Sequence, residues 1–265
     1  MIIFERLGGW GLGNSLFQIA TTIGIASDNN TDYGFPSNCN FRISRCLNNS
    51  QFKKELPWID VNRLNNLPRW GIGDSKYVQP PKFNNDVVID GFFQSEKYFK
   101  SHREEVLKMF ELKDVIKEEI SSKYSILFGT AHCGLHVRRG DYFAAKEMRV
   151  IDVTYYKEAI KLFDANTTFV IFSDDINWCK NNLDFIPKKI FIEERNDLKE
   201  MYLMSRFSGM IIANSTFSWW GAWLGNQSKV VIPNPNTNWF SDLYYKERGK
   251  MSNFNDLVCE GWAVI

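Results

Sequence analysis

In the second half of this chain, short runs of β-branched and aromatic residues each end in small polar or charged residues and then give way to helical spacing. Strands are predicted over 131–136, 168–172, 189–192, 209–213 and 229–233. Helices are predicted over 154–163, 176–183, 197–206 and 219–224, with Thr154 and Asp197 as N-caps. Strands that alternate with helices cannot pair as hairpins. They call for crossover connections and a parallel, doubly wound sheet, so the expected class is α/β. The first half opens the same way, with a strand over 2–4, a glycine-rich turn from Gly8 to Asn14, and a helix over 15–26 apolar at 16, 19, 20, 23 and 26. Residues 28–86 are less regular, with short pieces such as 52–56. A strand over 87–93, a loop over 94–99 and helices over 101–110 and 114–124 follow.

Open parallel sheets bind ligands beyond the carboxyl ends of their strands. Three polar clusters fall at such ends, 136–142, 173–175 and 214–218, so all three are expected to open onto one crevice. The first reads His136-Val137-Arg138-Arg139-Gly140-Asp141-Tyr142. Two adjacent guanidiniums are costly to bury without an anion, and the planar fork of arginine matches phosphate oxygens, so a diphosphate between them is expected. Gly140 gives the turn backbone freedom, and Asp141 can hold one arginine in a single rotamer. A solvated turn with an Arg–Asp ion pair is the plain alternative. Asn214, Ser215, Thr216 and Ser218 are short donors just before a helix, an arrangement that holds phosphate. Phe217 and at least one of the tryptophans after it are expected in the core. Asp174 and Asp175 could accept from ribose hydroxyls or the N1 and amino edge of a guanine, or one could simply cap the helix that follows. Near the N-terminus, Gly9-x-Gly11-x-Gly13 does not fit the G-x-G-x-x-G dinucleotide spacing. The turn still places Asn14 and backbone N–H groups at a helix start, where an anion or a sugar hydroxyl could dock.

Composition removes several classes. The chain has 265 residues with 32 Lys+Arg against 31 Asp+Glu, a balance that argues against a nucleic-acid footprint. Its five cysteines are scattered without a CxxC pair, and its three histidines are too few for a histidine metal site, so neither a disulfide framework nor a zinc site is expected. A reducing compartment follows. The opening MIIFERLGGWGLGN lacks the form of a signal peptide, and no apolar run has the length of a membrane span. Aromatics reach 15% with nine Trp, a surplus that fits either a core or stacking on sugars.

These residues resemble a known family. His136-Val137-Arg138-Arg139-Gly140-Asp141 is similar to the H-x-R-R-x-D signature of α1,2-, α1,6- and protein O-fucosyltransferases. Phe172-Ser173-Asp174-Asp175 with Trp178, and Asn214 through Trp220 with Ala222-Trp223-Leu224, resemble the α1,2-fucosyltransferase branch, glycosyltransferase family 11. Gly9 through Gln18 resembles that branch's G-G-L-G-N-Q-x-F-Q motif, with an added Trp10-Gly11 and Ser15 in place of Gln. The resemblance implies a GT-B-like enzyme with two facing Rossmann-type domains, 1–125 on the acceptor side and 126–265 binding GDP-fucose. It implies inverting transfer, without a metal, to the 2-hydroxyl of a terminal β-galactoside, plausibly in a bacterial surface polysaccharide. A cytoplasmic setting, peripheral at the inner membrane, would suit it. In that scheme Arg138 clamps the β-phosphate, supported by Arg139 and oriented by Asp141, and His136 touches the nucleotide or its phosphate. Asp174, Asp175 and residues 214–218 hold the donor, and Gly13 and Asn14 meet a donor or acceptor sugar. Glu147 is an available base. Asp174-Asp175 lacks the D-x-D spacing of metal-dependent enzymes. The rivals are a transferase for another GDP-sugar and a non-catalytic sugar-nucleotide or glycan-binding module.

Overall fold

The computed structural model describes residues 1–7, 11–37, 51–72, 76–128, 132–225, 227–247 and 253–265. Gly8, Gly9 and Trp10 of the glycine turn, Cys39, Cys46 and Ala131 lie outside the described residues. The chain divides into two compact units, Met1–Glu118 and Glu119–Ile265. The division falls inside the helix Asp114–Lys123, where the sequence placed it after residue 125.

The first unit is built on five parallel strands: β1 (Ile2–Phe4), β2 (Tyr33–Pro36), β3 (Trp58–Ile59), β4 (Arg69–Ile72) and β5 (Val87–Gly91), in the order β3-β2-β1-β5-β4. Helix α1 (Leu12–Asp28) follows β1. It starts three residues before the predicted 15–26, so Gly13 and Asn14 lie within its first turn. Gly11 caps it at φ +92°, a left-handed value that suits glycine. Every residue from Ser15 to Ala26 is buried, as expected of a helix apolar on most sides and covered on both. The irregular stretch over 28–86 thus supplies three of the five strands. They are two to four residues long, too short for a hydrophobic run, and β3 and β4 are partly exposed. Short helices α2 (Arg103–Met109) and α3 (Asp114–Lys123) lie near their predicted places.

The second unit holds six strands: β6 (His132–Val137), β7 (Thr168–Ser173), β8 (Lys189–Phe191), β9 (Gly209–Ile211), β10 (Lys229–Ile232) and β11 (Ala263–Val264). Their order is β11-β10-β9-β6-β7-β8, and all neighbours are parallel. Counted from β6 this is the 3-2-1-4-5-6 order of dinucleotide-binding sheets, with its switch point between β6 and β9. The predicted α/β class and parallel sheet are therefore present. Four helices connect β6 through β10: α4 (Val153–Ile160), α5 (Ile176–Asn182), α6 (Asp197–Met204) and α7 (Thr216–Trp223). Two caps differ from expectation. Asp152, not Thr154, caps α4 by accepting from the Thr154 N–H, and Asn196, not Asp197, caps α6 by accepting from the Lys199 N–H. Both follow the rule that a cap bonds the N–H two or three residues ahead.

Side chains alternate along β6. Cys133, Leu135 and Val137 join a core with Tyr155, Tyr156 and Ala159 of α4 and Cys179 of α5. His136 points to the opposite face, its ring 5.8 Å from that of Phe217 on α7. Trp219, Trp220 and Trp223 are buried, with Trp262 against Trp219, so most of the tryptophan surplus here is core. Among the described residues no helix is long and apolar enough to cross a membrane.

Candidate active site

The alternation of β6 carries through its end and separates the two arginines. Arg138 follows the parity of His136, and Arg139 follows that of Val137. Arg139 lies on the α4/α5 face, its guanidinium carbon 3.7 Å from the Trp178 ring centre and 4.7 Å from that of Phe143. Its side chain is 12% exposed, and its Nε is 3.5 Å from the Asp175 carboxylate, an ion-pair distance without hydrogen-bond geometry. A groove of about 630 Å³ opens on that face between Arg139, Phe143, Lys157, Trp178 and Phe185. The two guanidiniums therefore do not converge as expected: Arg139 lies over aromatic rings on one face, and Arg138 is left as the arginine of the crevice.

Arg138 remains at the switch point. Its Nη2 lies 2.9 Å from both carboxylate oxygens of Asp141, and its Nη1 lies 3.1 Å from Asp174. Its Nε is buried without a hydrogen-bond partner. The expected role of Asp141 as orienting partner matches this contact. Asp174 does more than pair. Its two oxygens accept from the Arg139 N–H at 2.9 Å and the Gly140 N–H at 3.1 Å, so it braces the loop that carries both arginines. A Cβ on Gly140 would sit 2.8 Å from an Asp174 carboxylate oxygen, so a larger residue there would push that carboxylate aside. The φ of Gly140 is −38°, outside the left-handed region. Asp175 caps α5 by accepting from the Trp178 N–H at 3.1 Å. Asp175 is thus the aspartate that caps the following helix, the plainer of the two readings, while Asp174 holds the Arg139–Gly140 loop.

The third cluster is also partly inward. Asn214 is fully buried, and its Nδ2 donates to the Arg149 and Trp239 carbonyls at 2.7 and 3.0 Å. That orientation ties two loops together and leaves its Oδ1 buried without a hydrogen-bond partner. Tyr142 donates to the Asn214 carbonyl at 2.9 Å, joining the loops after β6 and β9. Burial pushes the Tyr142 phenol up. Ser218 is buried and donates to the Ser215 carbonyl at 3.2 Å, and Ser215 is buried too. Thr216 and Phe217 are half-buried at the start of α7, so Phe217 is less enclosed than expected. The N–H groups of that first turn have no intrahelical acceptor and point beyond the sheet. His136 is 2% exposed. Burial, with Arg138 nearby, holds its pKa down to about 3, so the ring is neutral, and its Nδ1 is buried without a partner.

The structure adds a residue that the sequence did not mark. Glu200 on α6 is half-buried, and burial pushes its pKa up to about 8, with Asp197, Glu194 and Asp174 adding to the effect and Arg138 opposing it. In sequence it reads as part of an ordinary charged helix face. Glu147 lies exposed, its carbonyl accepting from the Ser241 N–H at 2.8 Å. Among the described residues no three His, Cys, Asp or Glu side chains converge as a cation site.

Comparison with known proteins finds relatives along most of this chain. An α-1,2-colitosyltransferase of Escherichia coli is 31% identical over 100% of this chain and 99% of its own length. Galactoside α-(1,2)-fucosyltransferase 2 of Oryctolagus cuniculus is 25% identical over 84% of this chain and 67% of its own. Among solved structures, the NodZ α-1,6-fucosyltransferase soaked with GDP-fucose superposes with a TM-score of 0.53 at 16% identity, covering 84% of this chain and 92% of that one. FUT1 of Arabidopsis thaliana, an R284K variant in complex with GDP, gives 0.54 at 13% identity, covering 87% and 69%. At those identities the likeness is one of fold, the GT-B type with two parallel-strand sheets. The description "Glycosyl transferase family 11" matches residues 34–257, a span that takes in the Arg-Arg loop, the aspartate pair and the start of α7; this chain belongs to glycosyl transferase family 11.

Proposed function

We propose that the protein transfers L-fucose from GDP-fucose to the 2-hydroxyl of a terminal β-galactoside, with inversion, in the assembly of a bacterial surface polysaccharide. The observation that supports this best is the placement of Arg138. It is one guanidinium at the switch point of a nucleotide-type sheet, held in a single pose by Asp141 and Asp174. As the fucosyl C1–O bond breaks, its electron pair moves onto the β-phosphate of GDP. Arg138 and the first-turn N–H groups of α7 meet that growing charge, which favours the transition state over the ground state. The acceptor oxygen bonds C1 from the opposite side and its proton is released. Asp174 and Arg139 fix the loop, and His136 offers a neutral hydrogen bond from its buried Nδ1. Glu200 takes the part first considered for the aspartate pair, accepting from the N1 and amino edge of guanine. Arginine and helix N–H groups would do here what a divalent cation does elsewhere. The first unit, with Asn14 at the carboxyl edge of its sheet, would hold the acceptor. A cytoplasmic setting, at the membrane where such polysaccharides are assembled, belongs to the same proposal.

GDP-colitose is the second donor to weigh, since the colitosyltransferase relative matches along the whole chain. Colitose lacks the 3-hydroxyl of fucose, so the two donors differ by one hydrogen-bonding group. The test is transfer from GDP-fucose, GDP-colitose and GDP-mannose to methyl β-galactoside and longer β-galactosides, with the linkage of the product read by NMR. An α1,2-linked fucoside is expected. An α1,2-linked colitoside with little fucoside moves the donor to GDP-colitose. Binding of a GDP-sugar without transfer or hydrolysis would support the binding-module alternative instead.

A further inference from the structure

The groove beside Arg139 belongs to the face of β6 where Val137, α4 and α5 pack, whereas His136 and the start of α7 belong to the other face. Its walls come from the loop after β6, from the start of α4, and from α5 with the turn that follows it. At about 630 Å³ it falls within the usual capacity of a small-molecule site, roughly 300–1,000 Å³. No step of the proposed transfer uses it.

Arg139 lines this groove with its hydrogen bonds unmade. Its side chain is 12% exposed, yet among the described residues nothing accepts a hydrogen bond from any of its side-chain nitrogens. Buried donors are nearly always satisfied, so a guanidinium in this state calls for oxygens that the chain itself does not supply. The rings of Trp178 and Phe143 lie against it at 3.7 and 4.7 Å, contacts that leave the N–H edge of the guanidinium for an incoming acceptor. Lys157 on α4 is the second cation of the lining. It is exposed, makes no ion pair among the described residues, and holds its ammonium 5.4 Å from the centre of the Phe185 ring. The carboxylates nearby are already engaged. Asp175 and Asp152 cap helices, and Asp184, mostly exposed, faces Lys189 at 4.0 Å. Two cations bedded on aromatic rings suit an oxyanion carried by a body with an apolar face. A pyranose ring bearing a carboxylate or a phosphate has that form: its C–H face lies on aromatic rings, and its oxyanion accepts from the guanidinium fork.

We propose that this groove is a second carbohydrate site, one that binds an acidic sugar with its oxyanion on Arg139 and Lys157 and its ring against Phe143 and Phe185. The site is separate from the transfer reaction and stands whichever GDP-sugar is the donor.

The test is calorimetric titration of the whole chain with glucuronate, glucose 6-phosphate, glucose and inorganic phosphate. At least one of the two acidic sugars should bind with a Kd of about 1–10 mM, and glucose and phosphate at least about tenfold more weakly. The tighter of the acidic sugars identifies the oxyanion as carboxylate or phosphate. Lys157→Glu, a change at an exposed position, should weaken that binding about tenfold. Arg139→Gln should abolish it, with a thermal melt to check folding, and Lys157→Glu carries the test alone if Arg139→Gln does not fold. Arg138→Ala should leave the affinity within about twofold, because Arg138 lies on the other face. Glucose binding as tightly as the acidic sugars overturns the proposal, since the cations would then be idle. Phosphate binding as tightly overturns it too, by making the groove a plain anion site. An unchanged affinity in Lys157→Glu counts against it in the same way, and a loss in Arg138→Ala places the ligand in the crevice instead. If neither acidic sugar binds at tenfold the expected Kd, the groove is not a site for them.

Discussion

Replacing Asp174 with Asn asks whether that carboxylate holds the ligand or holds the loop. Its oxygens accept two backbone N–H groups and pair with Arg138, all within 2.9–3.1 Å, and its side chain is 23% exposed. Asn keeps one acceptor oxygen, turns an NH₂ toward the second N–H, and removes the charge that pins Arg138. A hydrogen bond to a charged group contributes about 1.5–3 kcal/mol. Discounting for exposure and for the oxygen retained, the variant should lose about 2 kcal/mol. In a domain of this size that is about 4–8 °C in melting temperature. The larger effect falls on turnover. Arg138 would keep only Asp141, itself mostly exposed, and a displacement of about 1 Å in a catalytic group costs on the order of 10²-fold. The expected result is therefore a hundredfold fall in kcat, in the spirit of ~10², with a smaller rise in donor KM and a lower melting point. The assay pairs GDP release kinetics with a thermal melt. A donor KM that rises while kcat and melting temperature hold would show Asp174 touching the nucleotide, and the brace would be wrong.

Arg138→Ala should lower kcat by ~10²–10³-fold, and Arg138→Lys, which lacks the bidentate fork, should also be badly impaired; near-wild-type turnover in Arg138→Lys would show that charge alone suffices. Glu200 keeps its proton to about pH 8 in the folded chain, where an unfolded glutamate has lost it near 4.5, so stability should fall as pH rises from about 4.5 through 8. Glu200→Gln should flatten that slope in melts taken across the range. The same variant should remove a fall in donor KM between pH 6 and 8 that the wild type shows, because the ionised carboxylate is the form that accepts from guanine; identical pH profiles in both proteins would count against the assignment. EDTA should leave turnover intact, and activity lost to chelation and restored by Mg²⁺ or Mn²⁺ would overturn metal independence.

Much of the second unit was legible because its strands are apolar runs with clear ends. The separation of the arginines was within reach too: Cys133, Leu135 and Val137 mark one face by period two, and continuing the count puts Arg139 with them and Arg138 with His136. The exact duties of Asp174 and Asp175 were not legible, since a carboxylate that caps a helix and one that braces a distant loop look alike in sequence. Glu200 was hidden for a related reason. Its shifted proton affinity comes first from burial, which a charged helix face does not announce, with Asp197, Glu194 and the distant Asp174 adding to it. Strands β2 to β4 escaped because two to four residues are too few to carry a period.

The central position of β6 also has a consequence for synthesis. It is the first strand of its sheet to leave the ribosome, yet its neighbour β9 emerges only after three further helices and two strands. At ~5–20 residues per second that delay is roughly 4–15 s. During it one edge of β6 has no strand to pair with while β7 already covers the other. A nascent chain stalled between β7 and β9 would expose that edge to its neighbours on the same message. Slow codons after Ser173 should therefore aggregate this protein more than slow codons after Ile211.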